Sequence, residues 1–314
     1  RETGPVMRHE GREGLRPADF RRPVVTIGVF DGMHRGHRHV VEHLRAFADR
    51  LDGEAVVLTF DTHPRAVIEG AAPRQILSMP HRLLLLERLG VDATIVLPFD
   101  DAMRATGDEE FTQEVLVDGL GVAGLLFGYN GHFGAGGEGT VERVRPLGER
   151  HGFEVVEAPA IAVEGLPISS SRIRDAIEQG RLHEAEAMLG RPVAFYGRVV
   201  KGDGRGRTLG FPTANVDPDG EILPPRGVYQ VIATIGEEHW AAVANVGIRP
   251  TFGPEAAPPL PVLEVHVPGV DFDFYGQRIE VEVVRKLRDE RAFPSREALI
   301  RQIREDVASL GLGS

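Results

Sequence analysis

The chain contains no cysteine. Disulfides, thiolate metal sites and cysteine nucleophiles are therefore excluded. It also lacks a long apolar run: the best candidate, residues 83–86, is broken by Glu87 and Arg88, far short of the roughly 18 residues that signal a membrane span. The first ten residues, RETGPVMRHE, hold no apolar stretch of the secretory kind. A cytoplasmic protein with no membrane partner is the expectation. Lysine is almost missing, with only Lys201 and Lys286 among 36 basic residues. Positive charge in excess is missing too. Against 47 acidic residues the net charge is -11. A phosphate-bearing ligand must then be held by local groups rather than by a broad field. Nucleic acid is not an expected partner, because that affinity needs basic surface.

What is present is ordinary globular composition, 42% hydrophobic and 26% charged. At roughly 100–200 residues per domain, 314 residues suggest two domains. From Pro23 strand-like and helix-like segments alternate. VVTIGVF (24–30), EAVVLTF (54–60), DATIVLPF (92–99) and AGLLFG (123–128) read as buried strands. Between them, 37–51, 81–90 and 111–120 read as helices. This order predicts a parallel sheet covered by helices on both faces. Ligands of such sheets bind beyond the carboxyl ends of the strands.

After a short helix over 184–189 the texture changes. AFYGRVV, GVYQVIATI, WAAVANVGI, VLEVHV and RIEVEVV, punctuated by Gly, Pro and Asp, predict an antiparallel barrel. An amphipathic helix over 295–310 closes the chain, and 253–261 reads as a loop. The expected organisation is an N-terminal extension (1–21), a first domain (22–186) and a second (187–314).

Two regions carry chemistry. Behind the first strand stands Gly28-Val29-Phe30-Asp31-Gly32-Met33-His34-Arg35-Gly36-His37. A strand-to-helix junction presents free amides and the positive end of the helix dipole to an anion. His34 and His37 can donate hydrogen bonds to phosphate oxygens and stabilise charge on a leaving pyrophosphate. Gly36 lets the backbone approach the ligand. Taken alone, the pair could equally bind a metal with His39 and His43, or be solvated; His39 and His43 are expected as exposed helix-face residues. Downstream, Ser169, Ser170 and Ser171 precede a predicted helix that carries Arg174. They can cap the helix, or offer hydroxyls and a fixed charge to phosphates.

Together these segments resemble the nucleotidyltransferase superfamily with the His-x-Gly-His signature. Within it they resemble the FAD synthetase module of bacterial bifunctional riboflavin kinase/FAD synthetases. That family pairs the first motif with Thr-Phe-x-Pro-His-Pro, here Thr59-Phe60-Asp61-Thr62-His63-Pro64, and with Ser-Ser-Thr-x-Ile-Arg, here with Ser171 for threonine. The resemblance implies a Rossmann-like domain and an ATP site at Gly28, Phe30, Asp31, Gly36, Ser169, Ser170, Ser171 and Arg174. One motif departs. Where the family has Gly-x-Asp-Phe-x-Phe-Gly, this chain has Gly128-Tyr129-Asn130-Gly131-His132-Phe133-Gly134. Asn130, in the place of the acid, is the implied flavin contact. It can hydrogen-bond but carries no charge.

The second region runs from Gly202 to Asn215, GDGRGRTLGFPTAN. Glycines at 202, 204, 206 and 210 let a loop wrap phosphates with its own amides. The Walker spacing is absent. Thr213 and Asn215 alternate in an extended segment and share a face; their oxygens could help hold a phosphate-bound Mg²⁺. Read alone, a plain glycine-rich hairpin fits as well. The stretch is similar to the family's Gly-x-x-Arg-Gly-x-x-Leu-Gly-Phe-Pro-Thr-Ala-Asn at every defined position, which adds Arg205 and Pro212 to the implied kinase ATP site. Asn245-Val246-Gly247-Ile248-Arg249-Pro250-Thr251-Phe252-Gly253 and Leu287-Arg288-Asp289-Glu290 match further family motifs. Glu264, in Glu264-Val265-His266, is the candidate general base for a primary alcohol; read alone, it is a strand-face glutamate. The resemblance places Arg288 near the flavin and leaves Glu290 a lesser, structural role.

The resemblance covers about residues 22–310. It implies phosphorylation of riboflavin to FMN by ATP and Mg²⁺, then adenylylation of FMN to FAD with release of pyrophosphate. Partners would be these small molecules, and a homo-oligomer is compatible with the sequence. A riboflavin kinase with a degenerate adenylyltransferase domain is the alternative, motivated by residues 128–134. A flavin carrier without turnover is the non-enzymatic one.

Overall fold

Contacts along the chain of the computed structural model divide it into two units, Arg1–Arg74 with Arg82–Ser170, and Gln75–His81 with Ser171–Ser314. The residues described are 6–8, 14–163, 166–202, 205–248, 261–270 and 274–311. Gly204, the side chain of Arg205, residues 249–252 of one family motif and nearly all of the expected loop 253–261 lie outside them.

The first unit is built on a six-stranded sheet in the order β1-β4-β3-β2-β5-β6. Its strands are β1 (Val6–Arg8), β2 (Val24–Ile27), β3 (Ala55–Phe60), β4 (Ala93–Leu97), β5 (Gly124–Phe127) and β6 (Glu154–Glu157), and every pairing is parallel. All residues of β3 and β4 are buried, as continuous apolar strands of a covered parallel sheet must be. The connections carry α1 (Arg35–Arg50), α2 (Pro64–Ile68), α3 (Met79–Arg88), α4 (Asp101–Ala105), α5 (Asp108–Phe111) and α6 (Val141–His151). The core gathers Val25, Leu58, Ile95, Leu116 and Leu125. The expected helix over 111–120 begins as α5 and continues as a π-helix over Thr112–Gly119. Two strands of this sheet were not foreseen. β1 lies in the segment read as an extension, and β6, EVVE, is short and ends in a glutamate on both sides. A small hairpin, β7 (Ala162–Val163) with β8 (Leu166–Pro167), ends the unit.

The second unit is a closed antiparallel barrel in the order β10-β13-β12-β11-β14-β9, with β9 pairing β10. Its strands are β9 (Ala194–Val200), β10 (Ala214–Asp217), β11 (Gly227–Ile235), β12 (Glu238–Ile248), β13 (Pro261–His266) and β14 (Arg278–Arg288). Closure removes the sheet edges that would otherwise invite association. The helices are α7 (Ser170–Glu178), α8 (Leu182–Leu189), α9 (Arg205–Leu209) and α10 (Arg296–Ala308). Ser295 caps α10 by accepting from the Ala298 amide at 3.2 Å.

Gln75–His81, although early in the chain, is part of this unit. The Ile222 amide donates to Gln75 O at 2.8 Å. Glu221 Oε1 accepts from the Ser78 amide and hydroxyl, each at 2.8 Å, and lies 2.9 Å from His81 Nδ1. Its other oxygen accepts from the Tyr196 amide at 3.1 Å. His81 Nε2 lies 3.5 Å from Glu280 Oε1. Burial works against a charge on His81, but hydrogen bonds to Glu221 and Glu280 outweigh it and raise the pKa. All three side chains are buried, so this is an ion cluster that packing alone would not favour.

Candidate active sites

In the first unit the chain leaves β2 through a left-handed turn, with positive φ at Phe30, Gly32 and Met33. It then enters α1, which His34 caps by accepting from the His37 amide at 3.3 Å. A cleft of about 440 Å³ opens there, lined among others by Gly28, Phe30, His34, Gly36, His37 and Ile168. Most of the first expected constellation is thus brought together at the carboxyl end of the sheet. The two imidazoles stack, with centroids 3.6 Å apart and planes 15° from parallel. A Cβ on Gly36 would stand 3.0 Å from His34 Cε1, so glycine permits the stack to sit over the helix start.

Both rings are held neutral. Burial brings His34 down to about 4, against a smaller upward pull from Asp31. Burial pushes His37 well below its ordinary value, helped by His34 and by Arg82. Arg82 is a residue that sequence reading missed: it is buried, and Asp31 offsets part of the burial that lowers its pKa. A neutral imidazole at a helix start still donates through one ring N–H. It gains most when negative charge arrives.

Asp31 is buried, and its carbonyl accepts from Ser170 Oγ at 2.7 Å. That bond ties the serine motif to the first, within this unit. Ser169 lies beside it in the chain, outside the cleft lining. Ser171 and Arg174 belong to the second unit, where Arg174 Nη1 donates to Ser171 Oγ at 3.5 Å. Asn130 is exposed and does not line the cleft, whereas its neighbours Gly128, Tyr129 and Gly131 do. Its φ of 54° places it at the left-handed position of a turn that the Gly131 amide closes onto Gly128 O at 2.7 Å. Asparagine suits that backbone. His39 and His43 are half-buried rather than exposed. One helical turn apart, their rings meet at 4.2 Å and His43 Nδ1 donates to His39 O. Among the described residues no group of three His, Asp or Glu is placed to hold a metal.

The second cleft, about 360 Å³, lies in the barrel unit. Gly206, Thr213, Asn245, Glu264, His266 and Arg288 line its polar part, and Val228, Val243, Phe293, Leu299 and Ile303 its apolar part. Register explains the gathering. Glu264 on β13 stands directly opposite Asn215 on β10 and Asn245 on β12. Directly paired residues share a face, with Cβ atoms roughly 5 Å apart. Asn215 is buried beside the cleft, and its Oδ1 has no hydrogen-bond partner. Two glycines make room for this pair of side chains. A Cβ on Gly202 would stand 1.9 Å from Asn215 Nδ2, and one on Gly206 would stand 2.9 Å from Thr213 Oγ1. Gly210, at φ 85°, ends α9, and the Pro212 carbonyl accepts from His266 Nδ1 at 2.7 Å. Arg288 is held by Asp306 of α10, 2.8 Å away, and lies over the Phe293 ring. Asn245 and His266 were named in motifs without a role; only the barrel register shows that they face the cleft.

The comparisons with known proteins follow the same division. The FAD synthetase family model matches residues 16–172 and the riboflavin kinase model residues 189–311. The chain therefore joins a nucleotidyltransferase module to a flavin kinase module. It belongs to the family of bifunctional riboflavin kinase/FMN adenylyltransferases. It is 37% identical to the relative of that name from Pseudomonas fluorescens, over 95% of each chain. To those from Escherichia coli K12 and Bacillus subtilis it is 37% and 32% identical, over 90% or more of both chains. A solved structure described as a macrolide-efflux protein from Streptococcus pneumoniae superposes with a TM-score of 0.81 at 30% identity. The match covers 98% of this chain and 99% of that one. Among the described residues no helix is long and apolar enough to cross a membrane.

Proposed function

We propose that the barrel unit moves the γ-phosphate of ATP to the 5′-hydroxyl of riboflavin, giving FMN and ADP. The first unit then lets the FMN phosphate attack the α-phosphorus of a second ATP, giving FAD and pyrophosphate. The observation that carries this reading is the register of Glu264 opposite Asn215, with the glycine loop folded over Asn215. A carboxylate thereby stands beside the glycine loop, whose Gly206 lines the same cleft.

Glu264 takes the proton of the attacking hydroxyl as the O–P bond forms. The amides of the loop bearing Gly202, Gly206 and Gly210 hold the phosphates. The unpartnered, buried Asn215 Oδ1 fits a metal carried by the nucleotide. Thr213 and Asn215 would hold that Mg²⁺, which neutralises phosphate charge when bound. The apolar wall of Val228, Val243, Leu299 and Ile303 suits a flat ring system, and Arg288, fixed by Asp306, stands at its edge. In the first unit His34 and His37 stabilise charge on the departing pyrophosphate, and the junction after β2 holds the triphosphate through its amides. Neither step needs a covalent enzyme intermediate.

The test is incubation with riboflavin, ATP and Mg²⁺, with the flavins resolved by chromatography. FMN followed by FAD is expected. Accumulation of FMN alone would reject the adenylylation step, and unchanged riboflavin would reject both.

A further inference from the structure

One buried titratable side chain of the kinase cleft takes no part in the proton or phosphate transfer. His266 ends β13, two residues after Glu264, and lines the same cleft. Its Nδ1 stands 2.7 Å from the carbonyl oxygen of Pro212. A carbonyl only accepts, so Nδ1 carries the proton and donates. The acceptor belongs to the short segment that joins α9 to β10, the trailing end of the glycine loop.

Register sets His266 beside the pair assigned to the nucleotide's metal. β10 and β13 run antiparallel, with Asn215 opposite Glu264 and Ala214 opposite Val265. One step further in that register, Thr213 falls opposite His266. Alternation then puts Thr213, Asn215, Glu264 and His266 on one face. The imidazole also meets the Phe211 ring edge-on, with centroids 5.5 Å apart and planes at 84°. The Phe211 amide in turn donates to Gly206 O at 2.9 Å and closes the loop on itself. That closure is tight: a Cβ on Gly206 would run into Phe211 O and stand 2.9 Å from Thr213 Oγ1.

We infer that His266 is a positioning residue for metal-bound ATP in the kinase step. A loop rich in glycine has many backbone states open to it, so a group outside the loop must select one. His266 does so at two adjacent residues, by its hydrogen bond to Pro212 and its ring contact with Phe211. It thereby sets where Thr213 Oγ1, Asn215 Oδ1 and the loop around Gly206 stand relative to the Glu264 carboxylate. Asn215 Oδ1, buried and unpartnered, is the atom whose aim this alignment fixes. Given the kinase reading, on which this rests, His266 acts on the phosphate donor through the loop and not on the flavin.

The experiment uses two variants of the full chain, with riboflavin, ATP and Mg²⁺. His266→Phe keeps a ring against Phe211 and removes the donor. His266→Asn gives up the ring and restores an N–H near the Nδ1 position. His266→Phe should raise the KM for ATP and the half-saturating Mg²⁺ concentration by roughly tenfold, with the KM for riboflavin within about twofold. His266→Asn should return the KM for ATP to within about threefold of wild type. FMN-to-FAD conversion should hold in both. Equal rises in the two KM values, an unchanged KM for ATP, or an asparagine variant no better than the phenylalanine one would overturn the assignment. If His266→Phe does not fold, as read by its melting curve, His266→Ala replaces it and amide hydrogen exchange at Phe211 is measured as well. Faster exchange in the alanine variant than in the asparagine one is expected, and equal exchange would overturn the anchor. Failure of wild-type protein to phosphorylate riboflavin would instead reject the kinase reading itself, while exchange at Phe211 still tests the anchor.

Discussion

Asn215 Nδ2 lies 1.9 Å from the point where a Cβ on Gly202 would stand. The amide of Asn215 therefore occupies space that only glycine leaves open, and any side chain at 202 must displace it. Gly202→Ala is expected to lower kcat/KM for ATP in FMN formation by at least tenfold while FMN-to-FAD conversion is kept. Separate assays of the two half-reactions check this, and an unchanged kinase rate would contradict it.

The two active sites should fail independently. Glu264→Gln removes the proton acceptor and should slow FMN formation by roughly 10²-fold or more, with FMN-to-FAD conversion intact. His37→Ala should do the reverse. Supplying FMN to the first variant and riboflavin to the second distinguishes the steps. Near-normal FMN formation by Glu264→Gln would remove its assignment as base.

Because burial holds His34 at about 4 and His37 well below its ordinary value, neither ring titrates near neutrality in the free protein. The pH profile of kcat/KM for FMN adenylylation should show no imidazole step between about pH 5 and pH 7. The fold feels the same groups with the opposite emphasis. Their folded pKa values lie below the unfolded value, so the unfolded chain binds protons first. Stability falls as pH drops from about 6.5 toward 4. Denaturant melts across that range measure it.

His81 behaves the other way. Its pKa is raised by Glu221 and Glu280 against burial and against Arg191. Its contribution is fully present below the unfolded value, near 6.5, and is lost as pH rises through the folded one. His81→Gln keeps some hydrogen bonding but not the charge. It should destabilise the barrel unit by about 3–5 kcal/mol at low pH, with the gap to wild type narrowing as pH increases. Melting curves of the two proteins at several pH values decide it.

The parallel sheet was legible because β2, β3 and β4 are continuous apolar runs, a signal that needs no knowledge of neighbours. β6 was not, since EVVE is four residues long and carries a charge at each end. The glycine loop announced itself through GDGRGRTLGFPTAN, although its central turn, α9, did not. Residues whose roles depend on distant partners stayed hidden. Nothing near Arg82 in the sequence points to Asp31 or His37. Asn245 gains meaning only when β12 is laid beside β13. Asn130 stood in a motif, but its backbone, not its side chain, fills the place the turn requires.

Glu221 accepts from Ser78 and meets His81 across 140 residues of intervening chain. The barrel is therefore not continuous in the gene. A fragment beginning at 187 would inherit the carboxylate without its donors and the slot without the segment that fills it. The riboflavin kinase half is composite: it borrows a short peptide encoded inside the adenylyltransferase half. Recombination or excision at the apparent module border would separate a lock from its key.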